Sequence, residues 1–320
     1  LLEASDWNTA LKLIVDQLKI RDTKNSLALS GKFSDIETLY SAKVFLNSIG
    51  SNLYDSRFDN AQFITDNRNS YLFNSSIQEV DNADAILLVG CNPRWEAAVL
   101  NSRIRKAYIN NDCKIGLIGP SVDLTYKYTH LSNDISYLNK ILERETEFSR
   151  ILENAKKSII IIGTSAINYE EGKEILKICS EISNKYNEKL NKFNGLNILQ
   201  QNISRVGALD IGFYNSKFDA NWKNKIKEHV ENYKPVVFLL DLDEIDLTIL
   251  NNAFVVYIGH HGDEAANIAD IILPSPAFPE KSSTFLNMEG RVLQTTKCFH
   301  PIGESKDEWK IFRALSNEIN

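Results

Sequence analysis

Apolar residues along this chain fall into short unbroken runs. Ser26–Ser30, Ala85–Gly90, Lys114–Gly119, Ser158–Gly163, Pro235–Leu240 and Ala253–Gly259 are each centred on aliphatic or aromatic residues and bounded by glycine or polar residues. Runs of this length predict strands buried on both faces. Ile268–Leu273 reads as one more, stopped by Pro274. Between the runs, apolar positions recur at helical spacing. Ile36–Ile49 follows a Ser34-Asp35 cap and ends at Gly50. Arg94–Ile109 carries Trp95, Ala98, Val99 and Ile104, and Gly172–Asn184 carries Ile175, Leu176, Ile178 and Ile182. Ile77–Asn82 predicts a short turn of helix and Ile198–Ala208 a helix or turn. Residues 51–76 and 185–195 are polar and irregular.

Continuous apolar strands alternating with helices predict an α/β protein with parallel sheets covered on both faces, arranged as two Rossmann-like lobes. The chain has 320 residues, long for a single core. We expect a first lobe over 1–150, a second over 151–263, and a C-terminal segment over 264–320 packing back on the first. The similar openings SLALSG (26–31) and SIIIIG (158–163) suggest an internal duplication. At about 1.5–3 kcal/mol per fully buried aliphatic side chain, four or five such residues per strand suffice to hold each lobe.

Composition narrows the function. Apolar residues make up 43% and charged residues 24%, ordinary for a globular protein. A net charge of −6 argues against a nucleic-acid binder, which should be basic. No run approaches the roughly 20 apolar residues needed to span a bilayer. No secretory signal opens the chain, and a start at Leu-Leu-Glu without Met looks like part of something longer. The four cysteines, Cys91, Cys113, Cys179 and Cys298, are far apart without cluster-binding spacing; Cys91 and Cys113 lie in or beside apolar segments, and buried or otherwise inert thiols in a reducing compartment are expected.

Ligands of open α/β sheets bind beyond the carboxyl ends of the strands. The candidate loops are therefore Gly31-Lys32, Gly90–Arg94 (with Asn92 and Pro93), Gly119–Asp123, Gly163–Ala166, Asp241–Glu244 and Gly259–Glu264 (with Gly262). None is G-x-G-x-x-G or a P-loop, so each glycine either approaches a phosphate or only lets the chain turn sharply. His260, His261, Asp263 and Glu264 offer either a metal site or a hydrogen-bonded loop, without the usual ligand spacing. Ser121, Asp123 and Ser165 lack a nucleophile elbow. Arg94, Arg103, Arg105 and Lys106 make one helix basic, with Glu96 opposing, which suits a solvated face or an acidic partner.

Three segments carry a family resemblance. Val80–Arg94 (VDNADAILLVGCNPR), Asn197–Phe213 (NILQQNISRVGALDIGF) and 268–294 (IADIILPSPAFPEKSSTFLNMEGRVLQ) resemble, in order, motifs of the molybdopterin oxidoreductase superfamily. Within it, GCNPRWEAAVLNSRIRKAYINND, VDLTYKYTHLSND, YIGHHGDEAANIADIILP and DEWKIFRALS resemble the C-terminal region of the large iron–sulfur subunit (75-kDa type) of respiratory NADH:quinone oxidoreductase, complex I. The resemblance implies lobes like those of formate dehydrogenase and DMSO reductase. It implies iron–sulfur clusters in an N-terminal part outside this sequence. It also implies partners among the other subunits of the peripheral arm and the chain's own N-terminal iron–sulfur domain, with neither nucleic acid nor a direct membrane span. The implied location is the cytoplasmic face of a bacterial inner membrane, or the matrix side of a mitochondrial one.

Departures from that pattern matter for the cofactor. The superfamily's metal ligand precedes the A-D-x-x strand, commonly in a C-x-G-P setting; here 52–76 has no Cys, and Ser56, Ser70, Ser75 and Ser76 lack the Gly-Pro frame. The acid of a D-P-R loop is lost at Gly119-Pro120-Ser121, and R-P-G-T-D is replaced by Tyr126–Asp134. A soft metal needs a thiolate or similar ligand. The resemblance therefore implies a cofactor-free scaffold without catalytic or metal residues, in which Gly90, Asn92, Pro93, Arg94, Gly163, Gly259 and Gly262 are vestigial loops. Glu280, Asn287, Glu289, Gly290 and Arg291 would fix loops and lobe contacts. The alternatives are an active molybdopterin- or dinucleotide-dependent oxidoreductase using the Gly90, Gly163 and Gly259 loops, and a metal hydrolase at His260, His261 and Asp263.

Overall fold

The computed structural model describes residues 2–190, 193–262 and 264–319. Among them the strands are β1 (Leu27–Ser30), β2 (Leu53–Asp55), β3 (Ala85–Val89), β4 (Lys114–Ile118), β5 (Thr129–Ser132), β6 (Ser158–Gly163), β7 (Leu196–Leu199), β8 (Val236–Leu240), β9 (Phe254–Gly259), β10 (Ile271–Pro274), β11 (Thr284–Leu286) and β12 (Val292–Gln294). They form two five-stranded sheets and the antiparallel pair β11–β12. Every pairing in the two larger sheets is parallel.

The division between units differs from the 1–150, 151–263 and 264–320 expectation. One unit comprises Leu1–Asn60, Asn202–Asn287 and Val292–Asn320; the other comprises Ala61–Gln201 and Met288–Arg291. The chain starts one sheet, builds the whole of the other, and returns. Parallel strands are joined by crossovers, so a sheet can receive a distant strand as readily as a near one. The closing helix Glu308–Ile319 does join residues 1–60, packing on helix Ile36–Ser48.

In the first unit the sheet order is β10-β9-β8-β1-β2, a doubly wound arrangement whose order reverses between β1 and β8. The unbroken apolar runs serve two faces at once, because successive side chains point to opposite sides. Val236, Phe238 and Leu240 join one core with Leu11, Phe45 and Phe312. Val237 and Leu239 join the other with Trp222, Ile226 and Val230. Phe45, Phe238 and Phe312 pack ring against ring at 5.7–5.8 Å between centroids. The helices Trp7–Ile20 and Ile36–Ser48 are capped by Asp6 and Asp35, whose carboxylates accept the N–H of Thr9 and Thr38.

In the second unit the order is β5-β4-β3-β6-β7, reversing between β3 and β6. Ile86 and Leu88 face Leu100 and Ile104 of helix Ala98–Asn111. The opening runs SLALSG and SIIIIG thus occupy different steps: β1 is the first strand of its sheet, whereas β6 is fourth in chain order in the other. This placement gives no support to a duplication with those runs in equivalent places.

Three boundaries also move. Leu196–Leu199 is a strand beside β6, and the helix begins only at Ile203. The polar Asn197 disguises this strand. It is fully buried, its amide accepts from Ser75 N and Oγ at 2.9 and 3.0 Å, and it donates to Gly195 O at 2.9 Å. Ile268 ends a short helix, so β10 starts at Ile271. The helix expected over Arg94–Ile109 breaks at Ala97 into Pro93–Glu96 and Ala98–Asn111.

Leu88 is fully buried in the middle of β3. Leu88→Ala is expected to lower stability by about 2–5 kcal/mol. Urea denaturation reads it, and a loss below about 1 kcal/mol would show that this strand lies outside the core.

Candidate functional site

The reversal of strand order places a potential ligand crevice at the carboxyl ends of β3 and β6 in the second unit. The two loops there interlock. A Cβ on Gly163 would lie 2.3 Å from Gly90 O and 2.7 Å from Cys91 Cβ, and one on Gly90 (φ +53°) would lie 2.6 Å from Ala166 Cβ. Ser165 Oγ donates to Gly90 O at 2.5 Å. These glycines serve close contact between the protein's own loops.

Three N–H groups at these strand ends are engaged within the protein. Gly90 N donates to Ile118 O, and Gly119 N to Ser132 O, both at 2.8 Å. Asn92 N donates to Glu96 Oε1 at 2.6 Å, and Gln201 Nε2 donates to Glu96 Oε2 at 3.0 Å. Pro93 opens the short helix and has no N–H to offer. A carboxylate of the protein thus stands on the N–H that opens this helix. Arg94 turns aside, donating to Asp123 O and pairing with the Asp123 carboxylate. Arg103 and Lys106 both pair with Asp81, so most of the charge on this helix is met internally.

The first unit has its reversal between β1 and β8. A Cβ on Gly31 would lie 1.8 Å from Asp241 O, so only glycine fits there. Gly31 N donates to Leu240 O and Asp241 N to Ile258 O, both at 2.9 Å. The following helix is opened by Asp35, whose carboxylate accepts Thr38 N at 2.7 Å. Lys281 Nζ lies 2.9 Å from Asp35 Oδ2 and 2.7 Å from Glu308 Oε1, and all three side chains are at most 5% exposed. Burial opposes ionisation of Asp35, but the Lys281 ammonium and the Thr38 hydrogen bonds outweigh it and hold the carboxyl below its ordinary value. Burial pushes Glu308 up further than Lys281 can pull it down, with Asp35 adding repulsion. Lys281 is held above its ordinary value against burial by Glu308 and Asp35.

Beside this triad, Asp241 sits in the left-handed region (φ +46°) and accepts His260 Nδ1 at 3.0 Å. That hydrogen bond raises the His260 pKa against partial burial, Asp241's charge adds to it, Lys281 opposes and Glu308 reinforces. A cavity of about 380 Å³ opens here, lined by Phe33, Ile203, Asp241, His260, Phe278 and Lys281.

The remaining candidates are placed as follows. Gly259 ends β9 where a Cβ would meet the Tyr257 ring at 2.4 Å, whereas Gly262 has open space around it. His261 meets the His260 ring edge-on at 4.4 Å. Asp263 lies outside the described residues. Among the described residues no group of three or more His, Cys, Asp or Glu side chains is placed to hold a metal ion. Ser70 and Ser75 are buried, with their hydroxyls donated to Ile64 O and Asn197 Oδ1. Cys91, Cys113 and Cys179 are buried, whereas Cys298 is exposed. Burial pushes the Cys91 and Cys179 thiols far up and that of Cys113 to about 12, the opposite of what a thiolate ligand needs.

The closing motif holds loops. Glu280 Oε2 accepts Ala277 N at 2.9 Å. Asn287 ends the first unit's stretch after β11, and Met288–Arg291 belongs to the second unit. There Glu289 Oε1 accepts Ile77 N at 2.8 Å, Arg291 lies 3.8 Å from Glu289, and Arg68 donates to Gly290 O at 3.3 Å. Gly290 has φ +77°, which favours glycine.

Sequence reasoning missed the partnerships of Asp35 with Lys281 and Glu308, and of Asp241 with His260. No local signal joins residues so far apart. The Asn92–Glu96 bond was findable, because a carboxylate four residues into a helix start is within reach of the opening N–H.

The family model for molybdopterin oxidoreductases matches residues 1–318. The chain belongs to the molybdopterin oxidoreductase family. It is 36% identical to the NADH-ubiquinone oxidoreductase 75 kDa subunit of Reclinomonas americana, over 98% of this chain and 47% of that one. It is 38% identical to the mitochondrial NADH-ubiquinone oxidoreductase 78 kDa subunit of Candida albicans, over 99% of this chain and 43% of that one. It is 36% identical to a subunit of the NADH-quinone oxidoreductase of Rickettsia bellii, over 99% and 45%. The chain therefore spans less than half the length of these curated relatives. Two solved structures share the fold at 13% identity and a TM-score of 0.70. One is the formyltransferase/hydrolase complex of Methylorubrum extorquens with methylofuran, matched over 99% of this chain and 96% of that one. The other is the acetylene hydratase of Pelobacter acetylenicus, matched over 99% and 59%. Among the described residues no helix of this molybdopterin oxidoreductase domain is long and apolar enough to cross a membrane.

Two outcomes follow from the first unit's charges. Lys281→Met leaves Asp35 and Glu308 buried together and is expected to cost about 3–5 kcal/mol in urea denaturation; an unchanged midpoint would count against the triad. His260 has a raised folded pKa, so its stabilisation is complete below its unfolded value of about 6.5 and is lost as pH rises through the folded value. Asp241→Asn should move the His260 NMR titration midpoint downward, and an unmoved midpoint refutes the pairing.

Proposed function

We propose that the chain is part of the large iron–sulfur subunit of an NADH:quinone oxidoreductase, where it serves as a scaffold without a redox centre of its own. The names of its relatives, matched over nearly the whole chain, support the assignment to that complex. The activity of the assembled complex is electron transfer from NADH towards quinone. This region contributes shape and protein contacts in the peripheral arm. Its partners are other subunits of that arm and an iron–sulfur domain of the same subunit. Attachment to the membrane is peripheral, through the complex, on the cytoplasmic face of a bacterial inner membrane or the matrix side of a mitochondrial one.

One observation carries the scaffold reading: in each unit a protein carboxylate occupies the opening of the helix beyond a strand end. Glu96 holds Asn92 N and Asp35 holds Thr38 N. A helix start with a free N–H attracts phosphate; one already bonded to a carboxylate repels it. A pterin guanine dinucleotide would have to displace these bonds while meeting like charge. The raised thiol pKa values of Cys91 and Cys179 and the engaged hydroxyls of Ser70 and Ser75 make these four residues poor ligands for a soft metal.

The test uses the chain purified after expression in a host that makes the molybdenum cofactor. Elemental analysis is expected to find less than stoichiometric molybdenum or tungsten, and calorimetric titration with GDP is expected to be flat. Stoichiometric metal, or saturable GDP binding that survives Glu96→Gln, would overturn the scaffold reading.

A further inference from the structure

The cavity beside β1 and β8 has no part in that reading. It lies where open α/β sheets bind ligands, at a reversal of strand order, and its volume of about 380 Å³ is within the range of small-molecule sites. Its walls are of two kinds. Phe33 and Phe278 are 54% and 45% exposed, and Ile203 lies with them. Phe278 is steadied by Phe285, 5.7 Å away between centroids. The polar wall is Asp241, His260 and Lys281.

The chemistry of that wall selects the ligand. Lys281 is already bracketed by two carboxylates. His260 uses Nδ1 on Asp241, which takes up one oxygen of that carboxylate. Among the described residues no donor is seen on the other Asp241 oxygen, at a side chain only 7% exposed. Three carboxylates, Asp35, Asp241 and Glu308, surround one ammonium and one imidazole, so the cluster carries no net positive charge even with His260 protonated. Phosphate is disfavoured by that balance and by the engaged N–H groups of Gly31 and Asp241. A positive group is favoured by the Asp241 oxygen and by the aromatic faces, which attract cations. The left-handed backbone of Asp241, packed against Gly31, fixes the direction in which its side chain leaves the backbone.

We propose that this cavity is a binding site for a small aromatic cation, its ring between Phe33 and Phe278 and its amidinium or ammonium group on the Asp241 carboxylate. All six lining residues come from the first unit, and the site needs no redox chemistry.

The test is isothermal titration calorimetry of the 320-residue chain with benzamidine, benzoate and benzyl alcohol. Benzamidine is expected to bind saturably and about tenfold or more tightly than benzoate or benzyl alcohol. Asp241→Asn keeps a residue type that accepts the left-handed conformation, and is expected to weaken benzamidine about tenfold. Phe278→Ala, at a half-exposed rim position, is expected to weaken it as well. Asp112→Asn, an exposed carboxylate in the other unit, should change nothing. Benzoate binding as tightly as benzamidine, affinity unmoved by both Asp241→Asn and Phe278→Ala, or no saturation up to about 10 mM each overturn the proposal. Circular dichroism of each variant separates lost binding from lost folding. Should Asp241→Asn melt early, Phe278→Ala and the benzoate comparison decide. Failure of this site leaves the scaffold reading standing, because that reading is tested by metal content and GDP.

Discussion

A parallel sheet buried on both faces must satisfy its backbone groups where the strands stop, because water is scarce there and an orphaned amide is costly. In this protein the satisfaction is internal. Gly31 N, Gly90 N, Gly119 N and Asp241 N all donate to carbonyls of neighbouring strands or their ends. The glycines at 31, 90 and 163 allow this, since a single Cβ at any of them would collide with the facing loop. Loops that in an open α/β enzyme would frame a ligand instead frame each other. The properties of the site follow from this closure.

Carboxylates complete it. An anion at a helix start gains about 0.3–1 kcal/mol at the surface, more when partly buried. Asp35 and Glu96 take that position with their own side chains, each with a further partner: Lys281 for Asp35, Gln201 for Glu96. The first case is the more demanding, because all three members of the Asp35–Lys281–Glu308 group are buried. A buried charge without a partner is far more expensive than a paired one. The group ties the first turn of one helix to the first turn of the C-terminal helix, through a lysine in the loop between β10 and β11. Arg57 plays a similar part elsewhere in the same unit, bracketed by Asp55 and Asp219 at 2.8 and 2.6 Å and lying over the Tyr214 ring.

The strands were legible wherever the chain is apolar throughout, because only a two-faced strand needs that pattern; β3, β4, β6, β8 and β9 sit where the runs predict. β7 was not legible because a buried Asn197, fully hydrogen-bonded, breaks its run. The split between units was not legible either, because nothing in local composition tells a strand which sheet it will enter. For the site, the loops were found from the strand ends, while their contents were not. Asp35 reads as a cap, and it is one; nothing near it in sequence announces Lys281 or Glu308. Glu96 reads as the counter-charge on a basic helix, although its carboxylate is turned back to Asn92 N.

The two strand ends nevertheless close to different degrees, and the reason lies in the residue that follows the strand. After β3 and β6 both partners are small: Gly90 and Cys91 face Gly163, Ser165 and Ala166, so the loops meet backbone to backbone with little between them. After β8 the partner of Gly31 is Asp241, whose carbonyl fills the backbone gap while its side chain departs in the left-handed direction. A carboxylate so placed must be met by something. His260 meets one oxygen, and half-exposed Phe33 and Phe278 line the same cavity as Asp241. The cavity in this unit thus lies beside an acidic residue, at a position where the other unit has glycine and small side chains.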